Sequence, residues 1–169
     1  MTSSEATPVF ADLAATANAI AGALTTRSEL VGIAESSTGG LISAALLSVP
    51  GASSYFLGGS IIYTGRARGL LFERGELPDD LRGATEPYAE HLALGAQAKL
   101  RSDWGVSETG AAGPTGNPYG DPPGHSWVAV ARPDGSTVAR NVLTGDDDRA
   151  ANMFRFAAAG LDLLLEQLG

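Results

Sequence analysis

The strongest constraint on this chain lies between residues 30 and 48. Leu30 to Ala34 is an apolar run of strand length, while Leu41, Ile42, Ala45 and Leu46 recur at helical spacing. Ser36-Ser37-Thr38-Gly39-Gly40 must therefore turn a buried strand into a helix, expected near Gly39 to Ser48. Three hydroxyls and several unpaired backbone N–H groups meet at that helix start, where the dipole favours negative charge. Two readings fit. One is a capped helix, with Ser37 or Thr38 as N-cap and the glycines permitting close packing. The other is a site holding a nucleophile and an anion. Glu35, just ahead of the turn, reads as a structural carboxylate that accepts from backbone N–H groups.

The other elements alternate as in a layered α/β domain. Val9 to Arg27 carries Phe10, Leu13, Ala17, Ile20 and Leu24 on one helical face, and some of these apolar residues could serve a homodimer interface. Leu57 to Tyr63 reads as a second strand and Gly65 to Phe72 as a short helix. Thr85-Glu86-Pro87 predicts a helix running to about Arg101, with Thr85 as N-cap and Pro87 in the first turn, where its missing N–H costs nothing. Trp104 to Thr109 is a third strand, and Ser126 to Arg132 with Thr137 to Leu143 form a hairpin across Pro133-Asp134-Gly135. Arg149 to Gln167 closes the chain as a helix capped by Asp147 or Asp148. At 169 residues and 44% hydrophobic content the chain fits one domain with a continuous core, over residues 8–169, after a disordered lead at 1–7.

Composition removes several function classes. The absence of cysteine excludes thiolate ligands and a cysteine nucleophile. The start lacks a basic, apolar signal pattern and no apolar run reaches the ~18 residues of a membrane span, so a cytoplasmic protein is expected. A net charge of -8 argues against nucleic acid as partner. Ten arginines stand against one lysine, Lys99, and one or two placed arginines suffice for a small phosphorylated ligand. Asp146-Asp147-Asp148 reads as a helix start, and no histidine–carboxylate spacing suggests a metal or another cofactor. Between Thr109 and Gly124, five glycines and four prolines preclude helix or strand. A loop of this kind beyond a strand end favours a ligand site.

Several blocks carry a family resemblance: Ala34 to Gly40, Pro50-Gly51-Ala52-Ser53-Ser54-Tyr55-Phe56, Gly59-Ser60-Ile61-Ile62-Tyr63, Gly83 to Pro87, Thr109-Gly110-Ala111-Ala112-Gly113-Pro114, Gly124 to Val130, and Gly145-Asp146 through Arg149. In that order they resemble the CinA C-terminal domain family. The resemblance implies a three-layer α/β/α sandwich with a mixed β-sheet. It also implies an amidohydrolase that converts nicotinamide mononucleotide to nicotinate mononucleotide and ammonia. The nucleophile would be Ser36, with Tyr63 beside it and a lysine five residues further as general base. Substrate contacts would fall on Ser37, Thr38, Gly39, Gly40, Glu108, Thr109, Gly110, Ala111 and Gly113, with oxyanion donors among the N–H groups near Thr38 to Gly40 or Gly110 to Gly113.

This chain departs from the family at the base. The family's Tyr-Ser-Asn-Glu-Ala-Lys block reads Tyr63-Thr64-Gly65-Arg66-Ala67-Arg68, and a guanidinium cannot give up its proton. Glu108 is a second departure, a carboxylate where an apolar strand residue is usual. Two accounts are open. Arg68 and Glu108 could form an ion pair while Glu108 or His91 supplies the base. Alternatively hydrolysis is lost, Arg68 binds phosphate or carboxylate, and the chain is a pyridine-nucleotide-binding or regulatory homologue. Hydrolysis of another amide is a third reading. His125 reads as structural.

Overall fold

The structure is a computed structural model that describes residues 6–73 and 77–169. The chain runs α1 (Phe10–Arg27), β1 (Val31–Glu35), α2 (Leu41–Leu47), β2 (Phe56–Ile61), α3 (Glu86–Leu100), β3 (Trp104–Ala111), β4 (His125–Ala131), β5 (Thr137–Leu143) and α4 (Arg149–Leu168), with 3-10 turns at Ala52–Ser54 and Gly65–Leu70. The five strands form one mixed sheet in the order β2-β1-β3-β4-β5. β1 is parallel to both neighbours, pairing Ile33 with Gly59 on one side and with Val106 on the other. From β3 onward the pairing is antiparallel, with Glu108 opposite Val128 and Val128 opposite Arg140.

The sheet separates two helical layers, as the expected α/β/α sandwich requires. Val31 and Ile33 of β1, Val106 of β3, and Val128 and Val130 of β4 point into a core shared with α1, α2 and α4. The alternate residues face α3, which packs Ala89, Leu92, Ala93 and Ala96 against that side. Close approach of α3 requires glycine in the sheet: a Cβ on Gly105 would lie 2.0 Å from the Ala93 carbonyl oxygen. The apolar face of α1 is spent within this core, since Leu13, Ala17, Ile20 and Leu24 are buried, leaving Val9 and Phe10 exposed. No helix among the described residues is long and apolar enough to cross a membrane.

Several boundaries differ from expectation. α2 begins at Leu41 rather than Gly39, because Gly39 and Gly40 take left-handed φ values of 65° and 103° that turn the chain before the helix can start. β2 ends at Ile61, leaving Tyr63 in the following connection and 59% exposed. β3 continues through Gly110 to Ala111, because His125 and Ser126 of β4 pair with these residues. Thr85 occupies the cap position of α3, but its hydroxyl donates to the Arg82 carbonyl instead of capping the helix. Asp148 does cap α4, accepting from the Ala151 N–H. Most of the lead expected at 1–7 lies outside the described residues, and Thr7 accepts a hydrogen bond from Arg155.

Candidate functional site

Two carboxylates hold the turn between β1 and α2. Glu35 ends the inward row of β1 and is 1% exposed. Its Oε2 accepts from Thr38 Oγ1 (2.7 Å), Gly40 N–H (3.1 Å) and Ile42 N–H (3.0 Å), and its Oε1 from Ser43 N–H (2.8 Å) and Ser43 Oγ (2.7 Å). The role read for Glu35 from sequence is the role it has. The N–H groups of Gly40 and Ile42 are taken by Glu35, Thr38 N–H by Glu108, and Gly39 N–H by the Ser36 carbonyl, so these four donors, among them the Thr38 to Gly40 groups expected to face an oxyanion, have acceptors within the protein.

Glu108 sits on the same face at the end of β3 and is fully buried. Its Oε2 accepts from Ser36 N–H (3.2 Å) and Thr38 N–H (2.9 Å) and lies 3.1 Å from Thr38 Oγ1, and Oε1 contacts Ser37 Oγ (2.5 Å) and Ser126 Oγ (2.9 Å). Burial pushes its carboxyl above the ordinary carboxylate value, and these hydrogen bonds offset part of that rise.

Above the turn lies a cleft with two recesses. The first, about 300 Å³, brings together Ser36, Tyr63, Arg68, Tyr88, Thr109 and Tyr119. The second, about 260 Å³, is walled by Ser37, Ala111, Gly113, Thr115 and Arg149. They share Tyr63, Gly110, Asn117 and Pro118. Residues from three connections beyond the carboxyl ends of β1, β2 and β3 thus converge, as open α/β sheets favour. Ser36, Tyr63 and Arg68 line one recess together, while Thr38, Gly39, Gly40 and Glu108 line neither. Thr38 and Glu108 lie beneath the floor, and the two glycines shape the turn.

Arg68 does not pair with Glu108 in the described structure. It lies on the α3 side, where Nε donates to Tyr88 Oη (3.1 Å), Nη1 donates to the Leu81 carbonyl (3.5 Å), and the guanidinium stacks 4.8 Å from the Tyr88 ring centre. Glu108 points to the opposite side of the sheet. Nor does His91 reach the cleft: its Nδ1 contacts the Pro87 carbonyl oxygen one turn back along α3 (2.7 Å). His125 Nε2 contacts the Ala84 carbonyl oxygen (2.9 Å), as a structural histidine would.

The family comparisons now fit this geometry. A family model described as the CinA C-terminal domain matches residues 13–168. The chain belongs to that family. A CinA-like protein of Gloeothece citriformis is 39% identical over 142 residues, covering 83% of this chain and 34% of the relative. A CinA-like protein of Thermosynechococcus vestitus is 36% identical over 156 residues, covering 90% and 37%. The chain therefore spans about a third of the length of these curated relatives. Among solved structures, the competence/damage inducible protein CihA of Agrobacterium tumefaciens superposes with a TM-score of 0.85 at 28% identity, covering 96% of this chain and 98% of that one. A CinA superfamily protein of Klebsiella pneumoniae shares the fold at TM-score 0.84 and 24% identity, covering 92% and 97%.

Within this CinA domain, the sequence reading did not single out Arg149 as a site residue. Its Nη1 donates to the Gly113 carbonyl (2.7 Å) and its Nη2 to Tyr63 Oη (2.9 Å), tying the glycine-rich segment to the tyrosine at the cleft mouth. A signal existed. Arg149 is the first residue of α4, and a cation at a helix N-terminus opposes the dipole, so its position calls for another reason. Arg82 was also missed. It bridges to Asp121 (2.6 Å) and lies 5.2 Å from the Tyr119 ring centre, holding the loop over the first recess.

Proposed function

We propose that the cleft binds a phosphorylated pyridine nucleotide of the nicotinamide mononucleotide class, and that this chain recognises it without hydrolysing the amide. The observation that carries the reading is Arg68. It occupies the place of the family's general base, its guanidinium fixed on Tyr88, and a guanidinium cannot accept the proton of Ser36 Oγ. Glu108 offers no substitute, because the backbone of the serine turn and three neighbouring hydroxyls occupy its oxygens.

Two recesses joined at Tyr63 suit a ligand with two chemically different ends. The planar ring is placed in the first, between Tyr88 and Tyr119, with its carboxamide toward Ser36 and Arg68. The phosphate is placed in the second, where Arg149 donates to neutral oxygens and can redirect its fork to an anion. A second reading, slow hydrolysis with Tyr63 as the proton acceptor, is favoured by one observation: Arg149 orients the Tyr63 hydroxyl in the recess that contains Ser36.

Calorimetry with nicotinamide mononucleotide, paired with an ammonia-release assay, tests both. Binding without ammonia is expected from the wild type. Arg68→Lys, which restores an amine able to act as base, should then gain detectable release that Ser36→Ala abolishes in the same background. Ammonia from the wild type that is lost in both Ser36→Ala and Tyr63→Phe would establish the second reading. Failure to bind the nucleotide would overturn both.

A further inference from the structure

The buried acids beneath the Ser36 turn present more oxygen contacts than their hydroxyl protons can serve. Ser126 Oγ has one proton, yet it lies 2.9 Å from Glu108 Oε1 and 3.1 Å from the Thr109 carbonyl oxygen. A carbonyl cannot donate, so the serine proton must point to Thr109 for that contact to be a hydrogen bond. The contact with Glu108 then needs a proton from the carboxyl. Thr38 Oγ1 brings the two acids together. It lies 2.7 Å from Glu35 Oε2 and 3.1 Å from Glu108 Oε2, with a single proton between two acids.

We propose that Glu108 is a neutral carboxylic acid in the folded protein, donating from Oε1 to Ser126 Oγ, and that it positions Ser36 through a cradle carrying one negative charge rather than two. That charge resides on Glu35, which three backbone N–H groups and two hydroxyls surround. A protonated Glu108 satisfies every contact around Oε1: it accepts from Ser37, donates to Ser126, and leaves Ser126 free to donate to Thr109. Oε2 stays an acceptor for the N–H groups of Ser36 and Thr38.

The surroundings agree. Around Glu108, the turn into α2 presents Ser36, Ser37 and Thr38, β4 presents Ser126, and β1 presents Glu35 across Thr38; among the described residues no cation forms an ion pair with it. Two ionised carboxylates within reach of one hydroxyl, both buried, repel each other without a compensating cation. Desolvation raises the Glu108 carboxyl in the same direction. Glu108 is thus a pH-sensitive positioning residue. When it ionises, a second negative charge enters the cradle, and the turn carrying Ser36 is the element that must yield. The inference does not depend on the identity of the ligand.

Infrared spectra of protein labelled with ¹³C-glutamate provide the test, because the label separates Glu108 from the aspartates. At neutral pH the wild type should show a protonated-carboxyl C=O band that is absent in Glu108→Gln. Ser126→Ala, which removes the proton's acceptor, should shift that band, and Ser43→Ala, which touches Glu35, should leave it in place. The fold should also lose stability as pH rises from the ordinary carboxylate range through the raised value of Glu108, because the folded state holds a proton that the unfolded chain releases. Glu108→Gln should flatten that slope. A spectrum without the band, a band that survives Glu108→Gln, or a band unmoved by Ser126→Ala would overturn the assignment, even where Glu108→Gln cannot be folded.

Discussion

The Ser36 turn and the loop that follows β3 face each other across Tyr63, but they are secured by different means. Glu35 and Glu108, both buried, tie the turn to the sheet through buried and half-buried backbone N–H groups and hydroxyls. On the opposite wall, Asn117 accepts from the N–H groups of Tyr119 and Asp121, Arg82 bridges to Asp121 while partly exposed, and Arg149 holds the Gly113 carbonyl. Only the root of this loop is locked inside, where the buried Asn152 donates to the Ala112 carbonyl (2.8 Å). Buried polar networks tolerate little change, whereas exposed pairs contribute modestly and can rearrange. The turn is therefore the fixed wall that presents the serine, and the loop is the adjustable wall that meets the ligand.

Removing Glu35 should produce the largest effect. Glu35→Ala leaves the N–H groups of Gly40, Ile42 and Ser43 without their acceptor, and a stability loss of about 4 kcal/mol is expected in urea denaturation. A loss below about 1 kcal/mol would mean that water replaces the carboxylate and that the turn is not the rigid wall.

Arg149→Met sharpens the contrast from the other side. It should lower affinity for nicotinamide mononucleotide by roughly 10- to 100-fold, the contribution of charge-assisted hydrogen bonds to phosphate, with the urea midpoint nearly unchanged. If affinity for nicotinamide riboside falls equally, the arginine is not reading the phosphate.

The smallest effect is expected at Asp121. Its hydrogen bond from Arg82 holds the carboxyl below the ordinary carboxylate value. The associated stabilisation is present above that ordinary value and disappears as pH falls through the lowered one. Asp121→Asn should cost less than about 1 kcal/mol, since the pair is partly exposed, and should remove this acid-side slope from thermal melts. A larger loss at neutral pH would place the loop with the fixed wall.

The sequence made the fixed wall legible because its signals are local. Val31 and Ile33 alternate into the core, Leu41 to Leu46 repeat as a helix, and Glu35 stands next to the N–H groups it accepts from. The order of strand, turn and helix followed from those signals. The partner of that turn did not, because Glu108 is brought to Ser36 by the pairing of β1 with β3, and nothing within either segment specifies which face a polar side chain will share. The Arg68–Glu108 ion pair, which one of the two open accounts required, is absent for the same reason: Arg68 follows β2 and turns to Tyr88 on the α3 side, while Glu108 faces the opposite side of the sheet. Arg149 was obscured by the acidic run before it, which reads as a helix start and drew attention to the cap rather than to the first residue after it.

The order in which the strands neighbour one another sets the timing of assembly. β4 and β5 meet across a short hairpin turn, but β1 must insert between β2 and β3, and the hydrogen bonds from Ser36 and Thr38 to Glu108 close separations of 72 and 70 residues. The Arg149–Tyr63 bond spans 86. Contacts so distant along the chain are slow to form, because the entropy of loop closure comes before any reward. The cleft can therefore not nucleate folding, and a partly folded chain has no pocket to offer. Once β1 is seated, Glu108 closes on a turn that Glu35 already holds through neighbouring residues, so the ability to bind should appear as a late kinetic event that coincides with completion of the sheet.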